Sequence, residues 1–149
     1  QMVTSQGVVP TAPTPAPTMT PSKSSLQTRP KMSAAAAKRL LQTNRPKTYA
    51  HPVGTVLNQI EGYCAMVSRP FRSRNMSGYG RTVTLIDTLK ADPEVYVFFY
   101  FGSNLPEPGN YYNVFDTEVE QHNEFRGLKQ MILTDIDGGQ VEFIDATSP

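Results

Sequence analysis

The sequence has no tryptophan, a single cysteine and two histidines. One cysteine cannot form an intrachain disulfide, and Cys64, His51 and His122 do not show the spacing of a structural zinc site, which needs about four ligands. No apolar run approaches the roughly 18 residues that indicate a membrane-spanning helix. We therefore expect a protein without disulfide, metal, cofactor or membrane segment.

Acidic residues are missing from the first third of the chain. Up to Pro52 there are seven Lys or Arg and no Asp or Glu, a formal charge of +7, whereas residues 53–149 carry seven basic and all 13 acidic residues, a charge of −6. Eight of the 13 prolines also precede Val53. Residues 1–52 are predicted to form a basic Pro/Thr/Ala-rich arm, disordered to about Lys31, because this composition buries too little apolar surface to offset the entropy of ordering. Such an arm attracts polyanions or acidic partners.

A short helix is predicted within this arm over residues 34–42. Ser33 is a suitable N-cap, and Arg45-Pro46 ends the segment. Isolated helices shorter than about 12 residues are marginal in water. We therefore expect this helix to form against a partner or against the body of the protein.

The remainder of the chain reads as a series of short strands. Gly62, inside the long first strand, indicates a bend, and Arg126-Gly127 and Asp137-Gly138-Gly139 are turn signals. Strands at this spacing favour a barrel or sandwich over an α/β fold. The predicted strands are 55–68, 81–87, 94–102, 111–125 and 128–136, with an edge-type sixth at 140–145.

The third predicted strand is apolar on both faces. Alternation places Tyr96, Phe98 and Tyr100 on one face, and Val95, Val97, Phe99 and Phe101 on the other. Three aromatic side chains on an accessible face would form a platform for stacking bases. The alternative is that Tyr96, Phe98 and Tyr100 are buried, since most strand faces are used for packing.

The predicted loop over residues 69–80 is the one basic, aromatic-rich cluster in the acidic part of the chain. It holds Arg69, Arg72 and Arg74, with Phe71 and Tyr79 among them. Such a cluster fits contacts to phosphate, although a solvated loop is an equally good interpretation.

Together these segments resemble a known family. The long bent first strand, the basic loop, the RTVTLID strand, the aromatic strand and the EFRGLKQMILTDI hairpin are similar to OB-fold domains of the replication protein A and telomere end-binding type. The resemblance covers residues 53–137 of the 149. It implies an all-β, five- to six-stranded OB-type barrel over residues 53–149.

The resemblance also implies binding of single-stranded DNA or RNA across strands two and three, gripped by the loops between strands one and two and between strands four and five. Applied to this chain, the resemblance implies that the nucleic-acid-binding residues are Arg69, Phe71, Arg72, Arg74, Tyr79, Arg81, Tyr96, Phe98, Tyr100, Arg126 and Lys129.

We therefore expect a nuclear, non-catalytic module of a replication, repair or telomere complex, with protein subunits as further partners through the barrel face or the short helix. Asp87, Asp135 and Asp137 do not suggest an enzyme, because strand ends and turns commonly carry carboxylates and no second motif accompanies them. Two alternatives stay open. One is an OB-type protein-interaction module without nucleic-acid binding. The other is a viral coat-type β-protein with a basic arm, which would require the eight strands of a jelly roll.

Overall fold

The computed structural model describes residues 26–72 and 78–149. Residues 1–25, which include most of the predicted disordered arm, and residues 73–77, which include Arg74, lie outside this description. All structural statements below concern the described residues.

The described chain is dominated by β-strands, as the sequence predicts. One helix, α1, spans Ala34–Thr43. The strands are β1 Arg29–Pro30, β2 Val56–Val67, β3 Phe71–Arg72, β4 Tyr79–Asp87, β5 Glu94–Tyr100, β6 Tyr111–Phe125, β7 Leu128–Asp135, β8 Ile144–Asp145 and β9 Thr147–Ser148.

Five of these strands close into a barrel. They follow one another in the order β2-β4-β5-β7-β6, and β6 pairs back onto β2. All of these pairings are antiparallel except the parallel one between β5 and β7. Closure leaves none of the five strands with a long open edge. The predicted all-β barrel is therefore confirmed.

Closure depends on the length and bend of β2. Residues from Val56 to Tyr63 pair with β6, and residues from Tyr63 to Val67 pair with β4. Gly62 lies at this change of partner, where a Cβ atom would come within 2.7 Å of the Ile86 carbonyl oxygen. A side chain there would push β4 away, so glycine permits the close approach of the two strands.

Several predicted boundaries are corrected by the structure. The predicted loop at 69–80 contains β3, and β4 begins at Tyr79 rather than Arg81, because Phe71–Arg72 pairs with Tyr79 and Gly80. The predicted sixth strand at 140–145 is reduced to β8, since residues 140–143 fold over the barrel instead of pairing along it. The predicted turn at Arg126-Gly127 is present. Both residues have positive φ, 52° and 80°, the conformation of a type I′ hairpin turn.

Two separate apolar clusters hold the fold together. The barrel core contains side chains from all five barrel strands, among them Cys64, Leu85, Tyr96, Phe98 and Leu133. A second cluster lies on the outside of the barrel, where Leu41 of α1 packs with Ala65, Ile86, Val95 and Leu128. The barrel is thus packed inside and partly covered outside.

The helix forms as the sequence predicts and packs against the barrel. Four alanines favour helix, and the Ser33 hydroxyl accepts a 3.0 Å hydrogen bond from the Ala36 N–H. Ala37 and Leu41 are buried against the barrel. Tertiary packing of this apolar side stabilises a helix too short to persist alone.

The predicted domain boundary at Val53 is wrong, because the chain before it is part of the folded body. Arg29–Pro30 pairs with Thr147–Ser148. The Tyr49 hydroxyl donates to the Asn123 carbonyl at 2.9 Å, and its ring stacks on His122 at 4.0 Å. Six of the seven basic residues of the predicted arm lie in this packed segment. The folded body is consequently less acidic than residues 53–149 alone.

Replacement of Leu41 by alanine should destabilise the protein, because it removes the main anchor of α1 on the barrel. We expect the free energy of unfolding to fall by about 2 to 5 kcal/mol in urea titrations. The control is Leu89→Ala, since Leu89 is 54% exposed and its truncation should change stability by less than about 0.5 kcal/mol. Equal effects of the two substitutions would contradict the anchoring role of α1.

Cys64 should be unreactive in the folded protein. Its side chain is fully buried in the barrel core, and burial raises the pKa of the thiol to about 12. Thiolate is the reactive form. We expect a thiol reagent such as DTNB to modify native protein hardly at all near pH 8, and to modify one thiol per chain after unfolding in urea. Rapid modification without denaturant would be inconsistent with the described core.

Candidate functional site

The outer face of the β4–β5 pair is covered at one end and bare at the other. Near Ile86 and Val95 it joins the apolar cluster that contains Leu41 of α1, a helix that packs mainly on β2. Towards the other end of the pair, Thr82 lies opposite Phe99, and Phe99 is 45% exposed. The helix thus leaves accessible the end of the sheet next to the β3–β4 hairpin.

Three phenylalanines form a cluster at this bare end. The ring of Phe71 meets the rings of Phe99 and Phe101 edge to face, with centroids 6.1 and 5.8 Å apart. Gly80 lies opposite Phe71 in the hairpin, and a Cβ atom on it would come within 2.5 Å of the Phe101 ring. Glycine at this position therefore provides the space that Phe101 occupies. We refer to Phe71, Phe99 and Phe101 as the aromatic patch.

The expected stacking platform of Tyr96, Phe98 and Tyr100 is wrong. Tyr96 and Phe98 are completely buried and Tyr100 is 7% exposed, because this face of β5 lines the barrel core. The opposite face carries Phe99, so the accessible aromatic surface of β5 is the one that the sequence analysis did not select.

Hydrogen bonds explain how tyrosine occupies the barrel interior. The Tyr96 hydroxyl donates to Glu94 Oε1 at 2.7 Å, and burial of the ring raises the pKa of this phenol. Glu94 is itself buried and lies 3.0 Å from His51 Nε2 and 3.3 Å from Lys90 Nζ. Buried polar groups need such partners. Tyr96 and Glu94 therefore have a structural role.

The predicted basic loop supplies side chains around the aromatic patch. Arg69 and Arg72 are exposed. Arg72 lies across the hairpin from Tyr79, its guanidinium 5.9 Å from the centre of a ring that is 64% exposed. Arg81 is half-buried and donates to the Ser68 carbonyl at 3.1 Å, which ties the loop to the barrel. The structure thus brings Arg69, Phe71, Arg72, Tyr79 and Arg81 together, while Arg74 lies outside the described residues.

Two adjoining grooves of about 270 and 360 Å³ flank Phe99. Both are lined by Gly138, Gly139 and Gln140 of the loop after β7, and Glu120 and Asp135 line the first. The Gln140 side-chain oxygen accepts a 2.9 Å hydrogen bond from the Phe101 N–H, which holds this loop against β5. The aromatic patch therefore continues into a groove lined by apolar side chains together with a few polar groups.

Arg126 and Lys129 lie at the other end of the barrel. Arg126 is in the β6–β7 turn and Lys129 is in the first residues of β7, near the start of β5, whereas the aromatic patch lies near the end of β5. The length of β5 separates the two ends by about 20 Å, at roughly 3.3 Å per residue. Lys129 forms a 3.0 Å ion pair with Glu124, and Arg126 is exposed. The structure thus does not bring these two residues to the aromatic patch.

The carboxylates at strand ends have structural contacts. Asp87 is buried and receives the Leu89 N–H at 3.0 Å and Lys90 Nζ at 3.4 Å. Burial raises the pKa of Asp87 despite these partners. Asp135 accepts hydrogen bonds from the N–H groups of Asp137 and Gly139, which fixes the turn beside the groove. Among the described side chains, no group of three or more His, Cys, Asp or Glu is arranged to hold a metal ion.

Comparisons with known proteins give no relative. No protein-family model, curated protein or solved structure matches the chain. No helix in the described ranges is long and apolar enough to cross a membrane.

The sequence analysis missed Phe99, Phe101 and Gln140 as site residues. The alternation in β5 correctly separated Phe99 and Phe101 from the tyrosines, but both faces are apolar, so the pattern could not indicate which one points inward. Gln140 carried no signal, because its position depends on how the loop after β7 folds back onto Phe101.

Substitution of Gly80 by alanine should disturb the aromatic patch without unfolding the barrel. The new methyl group would occupy the space of the Phe101 ring, which can rotate away because it is a side chain at the barrel surface. We expect NMR cross-peaks between the Phe71 and Phe101 rings to disappear while the amide shifts of β6 and β7 stay unchanged. Persistence of those cross-peaks would contradict the packing described for Gly80.

Proposed function

We propose that this protein is a non-catalytic OB-type module that binds single-stranded DNA or RNA through the aromatic patch. The observation that carries the proposal is the cluster of Phe71, Phe99 and Phe101 at one end of the outer β4–β5 face, in which Phe99 is 45% exposed and the other two rings are half-buried. These are the second and third strands of a closed five-stranded barrel, the strands on which OB-folds bind oligonucleotides. Exposed aromatic rings offer stacking surfaces to any base.

Positively charged side chains near the aromatic patch would contact the phosphate backbone of the nucleic acid. Arg69 and Arg72 are exposed on either side of Phe71 in the chain. Arg72 and Tyr79 pair across the β3–β4 hairpin on the face opposite Phe71 and Gly80. Guanidinium groups suit phosphate because they donate several hydrogen bonds in a planar fork. The bases would stack on Phe99 and its neighbours while Arg69 and Arg72 contact phosphates.

The second candidate is an OB-type protein-interaction module. Glu120 and Asp135 line the groove beside Phe99, where they would repel a phosphate backbone but could accept hydrogen bonds from a peptide. An apolar patch with a polar rim is also typical of protein interfaces. In that case the aromatic patch would bind another subunit and have negligible affinity for oligonucleotides.

The coat-protein alternative has lost its structural basis, because a jelly roll has eight strands in two sheets and the described chain closes a barrel of five. The nuclear location and the role in replication, repair or telomere maintenance stay predictions from the resemblance. The same holds for additional protein subunits. The apolar side of α1, one of the surfaces expected to bind them, packs on the barrel itself.

Phe99→Ala should weaken the binding of single-stranded oligonucleotides. Loss of one stacked base costs about 1 to 3 kcal/mol, which corresponds to a decrease in affinity of roughly 5- to 150-fold. Fluorescence anisotropy with labelled single-stranded and duplex oligonucleotides, at about 50 and 200 mM salt, measures this change and the strand selectivity. Leu89→Ala is the matched control, because it truncates an exposed apolar side chain away from the patch.

Selective binding of single strands that is lost in Phe99→Ala and kept in Leu89→Ala would support the proposal. Absence of binding by the wild-type chain, or equal affinities of Phe99→Ala and wild type, would reject it in favour of the protein-interaction module.

A further inference from the structure

A second basic surface lies at the end of the barrel opposite the aromatic patch. Lys38 and Arg39 are exposed on α1, Arg45 and Lys47 follow the helix, and Arg126 is exposed in the β6–β7 turn. Direct contacts join these segments. Arg45 Nη1 donates to the Arg126 carbonyl at 3.1 Å, and Leu41 of the helix packs with Leu128 after the turn. We call Lys38, Arg39, Arg45, Lys47 and Arg126 the helix-turn surface.

The acidic groups near the helix-turn surface are already engaged. Glu124 forms its ion pair with Lys129. Asp92 accepts hydrogen bonds from the Lys47 and Thr48 N–H groups at 2.9 and 3.2 Å, and from the Thr48 hydroxyl at 3.0 Å. In the part of the chain that the structure describes, none of the five basic side chains forms an ion pair. The hydrogen bond from the Lys47 N–H and the nearby positive charge of Lys47 both lower the pKa of the Asp92 carboxyl, so the charge of Lys47 is partly compensated. The positive charges of the other four side chains are available to an external anion.

An exposed aromatic ring accompanies this charge. Phe125 is 58% exposed, and the Arg126 guanidinium lies 5.1 Å from the centre of its ring. Arginine stacked on an accessible ring combines a phosphate contact with a surface for a base. A surface of this kind fits nucleic acid better than it fits a simple anion.

The two surfaces lie on one continuous side of the molecule. The aromatic patch is at the Phe99 end of the outer β4–β5 face, and Leu41 of α1 joins the apolar cluster at the Val95 end of that face. A strand that leaves the patch along β5 would cross the exposed side of α1, which carries Lys38 and Arg39, and reach Arg126. The distance along this path from the aromatic patch to Arg126 is therefore longer than β5 itself, which is about 20 Å long.

We propose that the helix-turn surface binds the phosphate backbone of the same single-stranded nucleic acid whose bases stack on the aromatic patch. This inference rests on the proposed function and extends it. The helix α1 then has two roles, since its apolar side covers the barrel and its basic side continues the binding path. The site would take a strand longer than the aromatic patch alone can hold.

The test compares oligonucleotides of two lengths on the full chain. Homopolymeric single strands of about 4 and about 16 nucleotides represent the limits of known OB-fold site sizes. Arg39→Gln and Arg126→Gln each remove one charge, and glutamine keeps the helix propensity at position 39. Lys31→Gln is the matched control, because Lys31 is exposed, carries the same charge and is already paired with Glu107, unlike Arg39 and Arg126.

We expect the wild-type chain to bind the longer strand more tightly and with a steeper dependence on salt. Arg39→Gln and Arg126→Gln should each decrease the slope of log affinity against log salt by about 0.7 for the longer strand, the value of one phosphate contact to a single strand. Neither variant should affect the short strand, and Lys31→Gln should affect neither strand. Phe99→Ala should weaken the binding of both.

The outcomes separate the two proposals. If both strands bind through Phe99 but Arg39→Gln and Arg126→Gln match Lys31→Gln, the helix-turn surface is not part of the site and the proposed function stands. If neither strand binds the wild-type chain, the proposed function and this extension are both rejected.

Discussion

Closure of the barrel through β2 is the constraint on which the other features depend. The strand pairs with β6 along one part and with β4 along the other, and Gly62 allows the close approach at the change of partner. Once the barrel is closed, the side chains of each strand alternate between its inside and its outside. Closure thus decides that Tyr96 and Phe98 are buried and that Phe99 lies outside.

The outer surface is then divided by a short helix. The ten-residue α1 packs mainly on β2, and its Leu41 joins the apolar cluster of Ile86 and Val95 at one end of the β4–β5 pair. At the far end of the pair Phe99 is 45% exposed, and Phe71 of the basic β3–β4 hairpin packs against it. An accessible aromatic ring beside a groove is a candidate binding surface. The same helix presents Lys38 and Arg39 on its exposed side, so it both limits the aromatic patch and carries positive charge next to it.

Sequence patterns predicted the strands, the helix and its Ser33 cap, and the turn at Arg126-Gly127, because each has a local cause in alternation, capping or conformational preference. Sequence patterns gave wrong predictions where the structure depends on tertiary packing. The side of β5 that faces the core depends on how the barrel closes. A strand that is apolar on both faces gives no local indication of which face points inward. The pairing of Arg29–Pro30 with β9 and the packing of Tyr49 on the barrel also escaped prediction, since the composition of residues 1–52 resembles that of a disordered arm. Gln140 joined the site only because its loop folds back onto β5.

The most direct test of this account is a titration of ¹⁵N-labelled protein with a single-stranded oligonucleotide, monitored by the amide shifts of every residue. The account predicts that the largest changes lie at Thr82, at Phe99 and Phe101, and in the loop at Gly138 and Gln140, where the bare outer face meets the groove. Changes confined to residues remote from this face, or no changes at saturating oligonucleotide, would contradict the assignment of the aromatic patch as a nucleic-acid interface.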